Sequence, residues 1–512
     1  MLARIHGAVL DGVVADGVVI EVDADSRSTA PRWTGWVQRA AKECFVRVQS
    51  ALRRCGIDLP PRHIALGACP GDPPVRSAGL DLPVVAGVLV AQAHVPPDAA
   101  EGAWFAGELT LSGRILPVRG ALPLALAAKA SGAKTVILPS RNAREVAPWV
   151  EGIEVLGADT LGELLLHLRG EQRLVPPAVA AASSVSADAD DEVVPGPASA
   201  VRALEVAAAG GHHLLLVGSP GSGKTLLASR LPRLLPPPTL DEALEAAAIW
   251  SAAGLLDPDR HDPARRALRA PHHTVSFAGL LGGGSPTRPG EASLAHHGVL
   301  FLDELPEFNT GTLGIVRHAA LTGEASVCRS DGTIRMPARF QLVAAANPCP
   351  CGFHGSAVRA CRCRPAAVES YKARTRFPLG DVFDIRARVR PASLGEDAGV
   401  PPTLSSMRAR VGAARERQAH RAHPLDLSAS VNARLTSDEL DRVLPPGCLA
   451  RRLVHETAGR AGPSPADLDR VLRVALTLAD LEGVEEVDEH RLADAAELAD
   501  PDGLGLMPPP IP

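Results

Sequence analysis

The segment Gly218-Ser-Pro-Gly-Ser-Gly-Lys224-Thr225 constrains this chain more than any other. It satisfies the phosphate-loop pattern G-x-x-x-x-G-K-[ST] at every fixed position, and its flanks agree with it. His213-Leu-Leu-Leu-Val217 is a short apolar run that reads as a buried strand, and Leu226-Leu-Ala-Ser-Arg-Leu231 reads as the helix that follows. A loop between such elements aims backbone N–H groups and the positive end of a helix at a triphosphate. Gly218, Gly221 and Gly223 are the glycines of the loop, the last two permitting its tight turn, and Ser219, Pro220 and Ser222 fill its variable positions. Lys224 is placed to reach the β- and γ-phosphates, and Thr225 to hold Mg²⁺. The chain around this motif is therefore expected to be α/β, built on a parallel sheet.

The second half of a nucleotide site follows. Leu300-Phe-Leu-Asp303-Glu304 places two carboxylates at the end of an apolar run. Asp303 is positioned to orient Mg²⁺ through its water shell, and Glu304 to act as general base for an attacking water. The plainer alternative is an acidic cap on the next helix. Asn347 ends the run Leu342-Val-Ala-Ala-Ala346, where a polar group bridges the γ-phosphate and the lytic water; alternatively it only opens a turn before Pro348.

A length of 512 residues accommodates about three domains of ~150 residues. Residues 1–172 mix strands such as Val18–Val22 and Thr135–Leu138 with the helical Leu122–Lys129, an α/β or α+β unit. Residues 173–196 are rich in Ala, Ser, Pro and Asp and read as a linker. Residues 197–392 carry the nucleotide motifs, together with a hairpin signalled by Asp331-Gly332 between Ala325–Val327 and Thr333–Arg335. Residues 393–512 turn helical over Leu404–Gln418, Ser437–Val443, Ala466–Leu481 and Asp488–Leu498. Aromatic residues make up only 3%, so the cores must rest on Ala, Val and Leu. The net charge of −5 supplies no global field for nucleic acid, so any such contact must be local or built by assembly. The N-terminus has no signal-peptide pattern, and the longest apolar run, Leu82–Val95, is broken by Gln92 and His94. Core packing, a cytoplasmic location and no membrane partner are expected.

Nine cysteines are present, and Cys349, Cys351, Cys361 and Cys363 cluster as two C-x-C pairs. Four thiolates suit a tetrahedral Zn²⁺ with no open position, hence a structural ion. The one-residue spacing is tighter than usual; unliganded thiols, or His354 as a substitute ligand, are the alternatives. His272, His273, His296 and His297 lack the spacing of a metal motif and are expected to pack and order loops. Arg408, Arg410, Arg415, Arg417 and Arg421 are expected to form a solvated helix face.

With these motifs goes a wider resemblance. Ala207-Ala-Ala-Gly-Gly-His-His213, the phosphate loop, Pro271-His-His-Thr274, Gly282-Gly-Gly284, Pro289 through His296, Gly298 through Phe308 and Phe340 through Cys351 resemble the ComM/YifB family of magnesium chelatase-like AAA+ ATPases. Gly107-Glu-Leu109 through Gly113-Arg114 and Pro117-Val118 resemble that family's Lon-protease-like N-terminal domain, and Val471 through Gly483 its C-terminal domain. The resemblance implies three parts: a Lon-like α+β domain without proteolysis, an AAA+ parallel-sheet core, and a C-terminal helical lid. It also implies a homo-hexameric ring that hydrolyses ATP with Mg²⁺. ComM proteins act as DNA helicases promoting branch migration, so single-stranded or branched DNA is the implied partner. The hairpin before Asn347 would then face the pore, bringing Arg329, Arg335 and Arg339 to DNA phosphates; ordinary surface arginines are the alternative.

Several positions depart from the family pattern. Gly380-Asp-Val-Phe-Asp384 puts Val382 where an arginine finger is usual, and Ser464-Pro-Ala466 puts Ala466 where a sensor arginine is usual. Val316-Arg-His-Ala-Ala-Leu321 lacks two acids of the family segment. A missing finger costs ~10³–10⁵ in rate. Arg376 and Arg386 are the nearest substitutes in sequence. In the Lon-like part, Ser77-Ala-Gly79 resembles the nucleophile segment, but Leu122 stands at the position of the activating lysine, and the family motif is eroded over Ser26–Gln38. The expectation is an ATP-binding DNA motor. A hydrolysis-impaired regulatory subunit and a magnesium chelatase ATPase subunit are the alternatives; the Lon-like part argues against the last.

Overall fold

The computed structural model describes residues 2–499 apart from 25–31, 60–63, 71–78, 179–191, 258, 260–261, 263, 285, 330–331, 357–358, 391–400 and 455–463. Ser77, residues 26–31, the Ala180–Asp191 part of the linker and Asp331 of the hairpin turn lie outside the described residues.

The chain opens with β1 (Leu2–Asp11) and β2 (Val14–Asp23), an antiparallel pair in register from Leu2↔Asp23 to Asp11↔Val14. Gly12, at φ +62°, makes their turn. Period-two alternation buries Ile5 on β1 and Val18, Ile20 and Val22 on β2. With β3 (Arg32–Thr34), β4 (Ala65–Cys69), β5 (Ala103–Phe105), β6 (Thr135–Pro139) and β7 (Glu154–Ala158) they form one sheet of order β3-β4-β2-β1-β5-β6-β7. Helix α1 (Gln38–Arg54) buries Ala41, Cys44, Phe45, Val48, Ala51 and Leu52, the three-and-four spacing of one helix face. Helix α2 (Asp81–Ala91) is buried throughout, so the Leu82–Ala91 part of the apolar run is core as expected, while Ala93 beyond it is exposed. Asp81 at its start is buried and ionically satisfied: Arg47 donates to it twice, at 2.6 and 2.9 Å, and Leu109 N donates at 2.9 Å. Among the described residues, no helix is long and apolar enough to cross a membrane.

Two helices of this first unit prepare its junction with the next. They are α3 (Ala121–Ala130) and α4 (Ser140–Val146). The second unit begins with α5 (Ala198–Gly210), then β8 (Leu214–Gly218), α6 (Lys224–Leu234) and α7 (Leu240–Ala253). Next come the short β9 (Leu268–Arg269), β10 (Val299–Leu302), α8 (Thr310–Thr322), the hairpin strands β11 (Glu324–Arg329) and β12 (Gly332–Pro337), β13 (Gln341–Ala346), α9 (Pro365–Arg376) and β14 (Ile385–Val389). Strands β9-β10-β13-β8-β14, in that order, form an all-parallel sheet. Leu300, Leu302, Leu342 and Val343 are fully buried, which explains why these strands read as unbroken apolar runs.

The last unit comprises α10 (Leu404–Ala422), α11 (Ser437–Val443), α12 (Pro465–Glu482) and α13 (Glu489–Ala499). Capping boxes at Thr436/Glu439 and Ser464/Asp467 start α11 and α12. These helices share one buried core with α5 and the parallel sheet, in which Leu204, Leu216, Met407, Val411, Leu472 and Leu476 belong together. The arginines of α10 form a solvated face only in part: Arg410 and Arg417 are exposed, but all five bond to neighbouring elements. Arg415 donates to Ala208 O at 2.7 Å, Arg410 to Glu205 at 2.6 Å and Arg408 to Arg233 O at 3.0 Å. Arg417 and Arg421 reach Asp480 on α12. Burial holds Arg415 down to about 9. Charge spacing on one helix cannot distinguish solvent from the unpaired carbonyls at the end of a neighbouring helix, and Arg415 goes to such a carbonyl of α5.

Helix α7 docks the first unit onto the second. Leu122, Ala125, Ala247 and Leu256 lie in one apolar cluster. Ser251 Oγ accepts from Leu122 N at 3.1 Å and donates to Glu145 Oε1 at 2.5 Å, while Gly120 N donates to Ser251 O. Burial pushes the Glu145 carboxyl up from its ordinary value. Val13 of the β1–β2 turn packs with Ile249, Leu294 and Met336, so the turn also touches the β11–β12 hairpin.

Candidate functional site

The phosphate loop leaves β8 at Gly218 and enters α6 at Lys224. Gly221 and Gly223 have φ of +76° and +92°, conformations that favour glycine, and nothing lies within 4 Å of a Cβ built at either. At Gly218, by contrast, a Cβ would lie 2.3 Å from Val389 O. Lys224 is buried, and its Nζ donates to Gly218 O at 2.8 Å, Ser219 O at 2.9 Å and Asn347 Oδ1 at 3.2 Å. Burial lowers its pKa, against the pull of the Asp303 and Glu304 carboxylates. The Ser222 hydroxyl is buried with no protein partner. The open space over two glycines, the orphaned hydroxyl and the inward ammonium make a cradle that fits a polyphosphate anion.

The metal-binding half of this site is equally compact. Thr225 Oγ1 donates to Asp303 Oδ2 at 2.8 Å. A hydroxyl and a carboxylate at this separation are the hard-oxygen pair that fits Mg²⁺ beside a triphosphate. Asp303 Oδ1 accepts from Glu304 N at 2.9 Å, and Glu304 takes φ +54°, a left-handed conformation uncommon outside glycine. Its carboxylate is exposed, 3.6 Å from His273 Nδ1. His273 packs against His272, with ring centroids 4.0 Å apart and planes tilted by 34°, and meets Phe308 edge-on. The expectation of a packing histidine therefore needs amendment, because His273 faces the candidate base. The signal available in sequence is only the paired histidines of Pro271-His-His-Thr274, a segment that carries the family resemblance.

Val382 is buried beside Leu379 and Phe383, so the position that resembles an arginine-finger site points into the core. Its neighbour Asp381 accepts from Arg317 of α8 at 3.0 Å through Nε, and the pair holds Asp381 below its ordinary pKa. Arg386 donates to Gly380 O at 2.8 Å, and Arg376 is exposed at the end of α9. Ala466 is exposed in the first turn of α12; one turn on, the buried Arg470 donates to Asp381 O at 3.0 Å and to Asp467 at 3.0 Å. Asp384 and Thr477 flank the buried His212 at 3.3 and 2.8 Å, tying β14 to α12. Sequence reasoning did not find Arg470 or His212, because their partners lie far away along the chain.

Cys349, Cys351, Cys361 and Cys363 bring their four sulfurs within 4.8 Å of one another and could hold a metal ion. Glu245, His296 and His297 also converge. There, however, His296 Nδ1 accepts from Arg339 N at 3.0 Å, which leaves its Nε2 carrying the proton donated to Glu245 at 3.1 Å. Burial lowers His296 to about 4, which keeps it neutral in that role. His297 N donates to Arg339 O, so the pair clamps the base of the hairpin, the loop-ordering role expected of it.

The hairpin pairs Val327↔Ile334 and Ser326↔Arg335. Ile334 and Met336 turn toward the first unit: a Cβ at Gly12 would lie 2.8 Å from Ile334 Cγ2. Arg335 is on the opposite, exposed face, 3.9 Å from Glu324. Arg329 shares the face of Val327 near the tip, and Arg339 is exposed at the base. The three arginines thus occupy different parts of the hairpin.

Three family models match the chain. The family described as magnesium chelatase, subunit ChlI, matches residues 190–396, subunit ChlI of Mg-chelatase matches 20–142, and magnesium chelatase, subunit ChlI C-terminal, matches 403–498. The protein YifB of Salmonella typhimurium is 36% identical over 498 residues, covering 96% of each chain. Competence protein ComM of Haemophilus influenzae is 34% identical over 502 residues, again 96% of each. Lon protease 2 of Bacillus subtilis is 31% identical over 125 residues, 24% of this chain and 22% of that protein.

Proposed function

Because this chain belongs to the ComM/YifB family of magnesium chelatase-like AAA+ ATPases, we propose that it binds ATP between Lys224 and Asp303 and uses its hydrolysis to move DNA. The observation that carries this reading is the convergence of four expected residues. Lys224 Nζ meets Asn347 Oδ1 at 3.2 Å, and Thr225 Oγ1 meets Asp303 Oδ2 at 2.8 Å, across three strands of one sheet.

In this mechanism the loop N–H groups and the Ser222 hydroxyl hold the phosphates, and Lys224 exchanges its two loop carbonyls for phosphate oxygens. Thr225 and Asp303 would hold Mg²⁺, which would supply neutralisation of the charge developing on the phosphates. Glu304 takes the proton of the attacking water, with His273 setting the carboxylate's resting direction. Asn347, freed from Lys224, orients that water. A homo-hexameric ring would bring the arginines of the hairpin to single-stranded or branched DNA, in line with the competence role in the name of the ComM relative. The four cysteines would hold a Zn²⁺ in a structural role, since full thiolate ligation leaves no open position.

A second reading, a nucleotide-binding regulatory subunit of low turnover, is favoured by the inward-facing Val382 and by Ala466. The family descriptions name a magnesium chelatase subunit, so metal insertion is a third reading; the DNA reading is favoured by the name of the competence protein ComM, which matches 96% of this chain. Phosphate release by the purified protein, with and without branched or single-stranded DNA, separates the readings. DNA-stimulated turnover supports the motor; tight ATP binding with no turnover in either condition supports the regulatory subunit.

A further inference from the structure

The four-cysteine loop lies against the phosphate loop. Cys349 follows Asn347 by two residues, so the partner of Lys224 and the first sulfur share one short backbone segment. Gly352 lies directly on Pro220 of the phosphate loop: a Cβ at Gly352 would be 2.4 Å from Pro220 Cδ and 2.6 Å from Pro220 Cγ. Its φ of +81° makes glycine the natural residue there on backbone grounds as well.

The sulfurs are arranged for a tetrahedral ion. Cys349 Sγ is 3.4 Å from Cys351 Sγ and 3.7 Å from Cys361 Sγ, and Cys351 Sγ is 3.6 Å from Cys361 Sγ. Zn–S bonds of about 2.3 Å in a regular tetrahedron put sulfurs about 3.8 Å apart. Backbone N–H groups already face two of them: His354 N donates to Cys349 Sγ at 3.3 Å, and Cys363 N to Cys361 Sγ at 3.4 Å. Such donors stabilise thiolate over thiol and orient metal ligands.

We propose that a Zn²⁺ held by Cys349, Cys351, Cys361 and Cys363 braces Pro220 and Asn347 from behind, so that metal occupancy sets nucleotide affinity. The proposal rests on the reading of Gly218–Thr225 as the ATP site. Loading is balanced as Zn²⁺ plus four thiols giving a tetrathiolate of charge −2 and four released protons. No oxidant or reductant takes part. Arg359, Arg362 and Arg364 lie in or next to the same loop and bring positive charge to this segment. Among the described residues, short turns such as Gly352 N to Cys349 O and the Arg359–Phe353 cation–π contact also hold this loop, and without the ion Gly352 would lose its fixed place over Pro220.

The test uses the full chain, with metal content measured by mass spectrometry and affinity by fluorescent-ATP titration. Wild type and Lys224→Ala are expected to carry zinc in equal amounts. Cys361→Ser/Cys363→Ser is expected to lose the zinc and bind nucleotide at least about tenfold more weakly. Gly352→Ala is expected to retain zinc yet lose affinity to a similar degree, because its Cβ displaces Pro220. Replacement by Co²⁺ should give the intense visible absorption of a tetrathiolate. Zinc-loaded and zinc-free protein binding nucleotide equally well would overturn the coupling. Absence of zinc, or disulfides in its place, would overturn the metal site. Zinc bound at full occupancy in a wild type that binds no nucleotide would overturn the ATP-site reading and the coupling together while leaving the metal site standing.

Discussion

Asn347 Oδ1 accepts a hydrogen bond from Lys224 Nζ at 3.2 Å, joining the outlets of two neighbouring parallel strands. An ammonium shared between a side-chain amide and two loop carbonyls is positioned to turn toward phosphate without leaving its pocket. Lys224→Ala should therefore weaken ATP binding by about 10- to 150-fold, the equivalent of about 1.5–3 kcal/mol for hydrogen bonds to a charged group. Asn347→Ala should bind ATP nearly normally and lose turnover. Nucleotide titration beside phosphate release checks the pair.

Glu304 is exposed, adjoins the Thr225–Asp303 pair and makes no hydrogen bond through its carboxylate to Thr225 or Lys224. Glu304→Gln should hence leave ATP affinity within about threefold of wild type. Turnover should fall by about 10²–10⁴, the range for removal of a general base. Equal loss of binding and turnover would instead assign Glu304 to holding the nucleotide.

Restoring the family residue at Val382 should not restore a finger. Val382 lies in the core with Leu379 and Phe383, so Val382→Arg buries a guanidinium without a partner. A cost of about 3 kcal/mol or more is expected, visible as a lowered melting temperature with no gain in ATP turnover.

The lid carries an acid-sensitive joint. Glu439 accepts from Ser428 N at 2.6 Å, Ser428 Oγ at 2.8 Å, Thr436 N at 2.9 Å and Thr436 Oγ1 at 3.1 Å. Burial pushes its carboxyl up, but these hydrogen bonds outweigh burial and bring it down to about 2. A depressed carboxyl stabilises the fold above its unfolded value and loses that contribution as pH falls through the folded one. Wild type should lose melting temperature between about pH 4.5 and 2 more steeply than Glu439→Gln, which begins less stable at neutral pH. Melting curves across that range test it.

If the hairpin meets DNA phosphates, Arg335→Ala should weaken binding uniformly across sequences and reduce the salt slope by about one. Arg329→Ala should do so less, since its side chain shares the face that packs on the first unit. Fluorescence anisotropy at several salt concentrations distinguishes a phosphate contact from a surface arginine, which would leave the slope unchanged.

The parallel-sheet strands were legible because burial on both faces writes itself as Leu300-Phe-Leu302 and Leu342-Val-Ala-Ala-Ala346, and the phosphate loop because its glycines answer to backbone geometry. Three of the four expected C-terminal helices begin and end within a residue of their sequence limits, since their caps are local. What sequence concealed was tertiary. The destination of Arg415, the turning of His273 toward Glu304 and the seating of Gly352 on Pro220 each depend on segments far apart along the chain.

Leu122 stands where the Lon resemblance would place an activating lysine, and its backbone N–H is bonded to Ser251 of the helix packed over it. A lysine arising there by mutation would find its ammonium beneath α7, without water and without room. Such a lysine could reach solvent only if the two units separated, which the Glu145–Ser251 hydrogen bond opposes. That contact makes α3 and α7 a shared surface, so a substitution on the Lon-like side is felt directly by the unit that carries the phosphate loop.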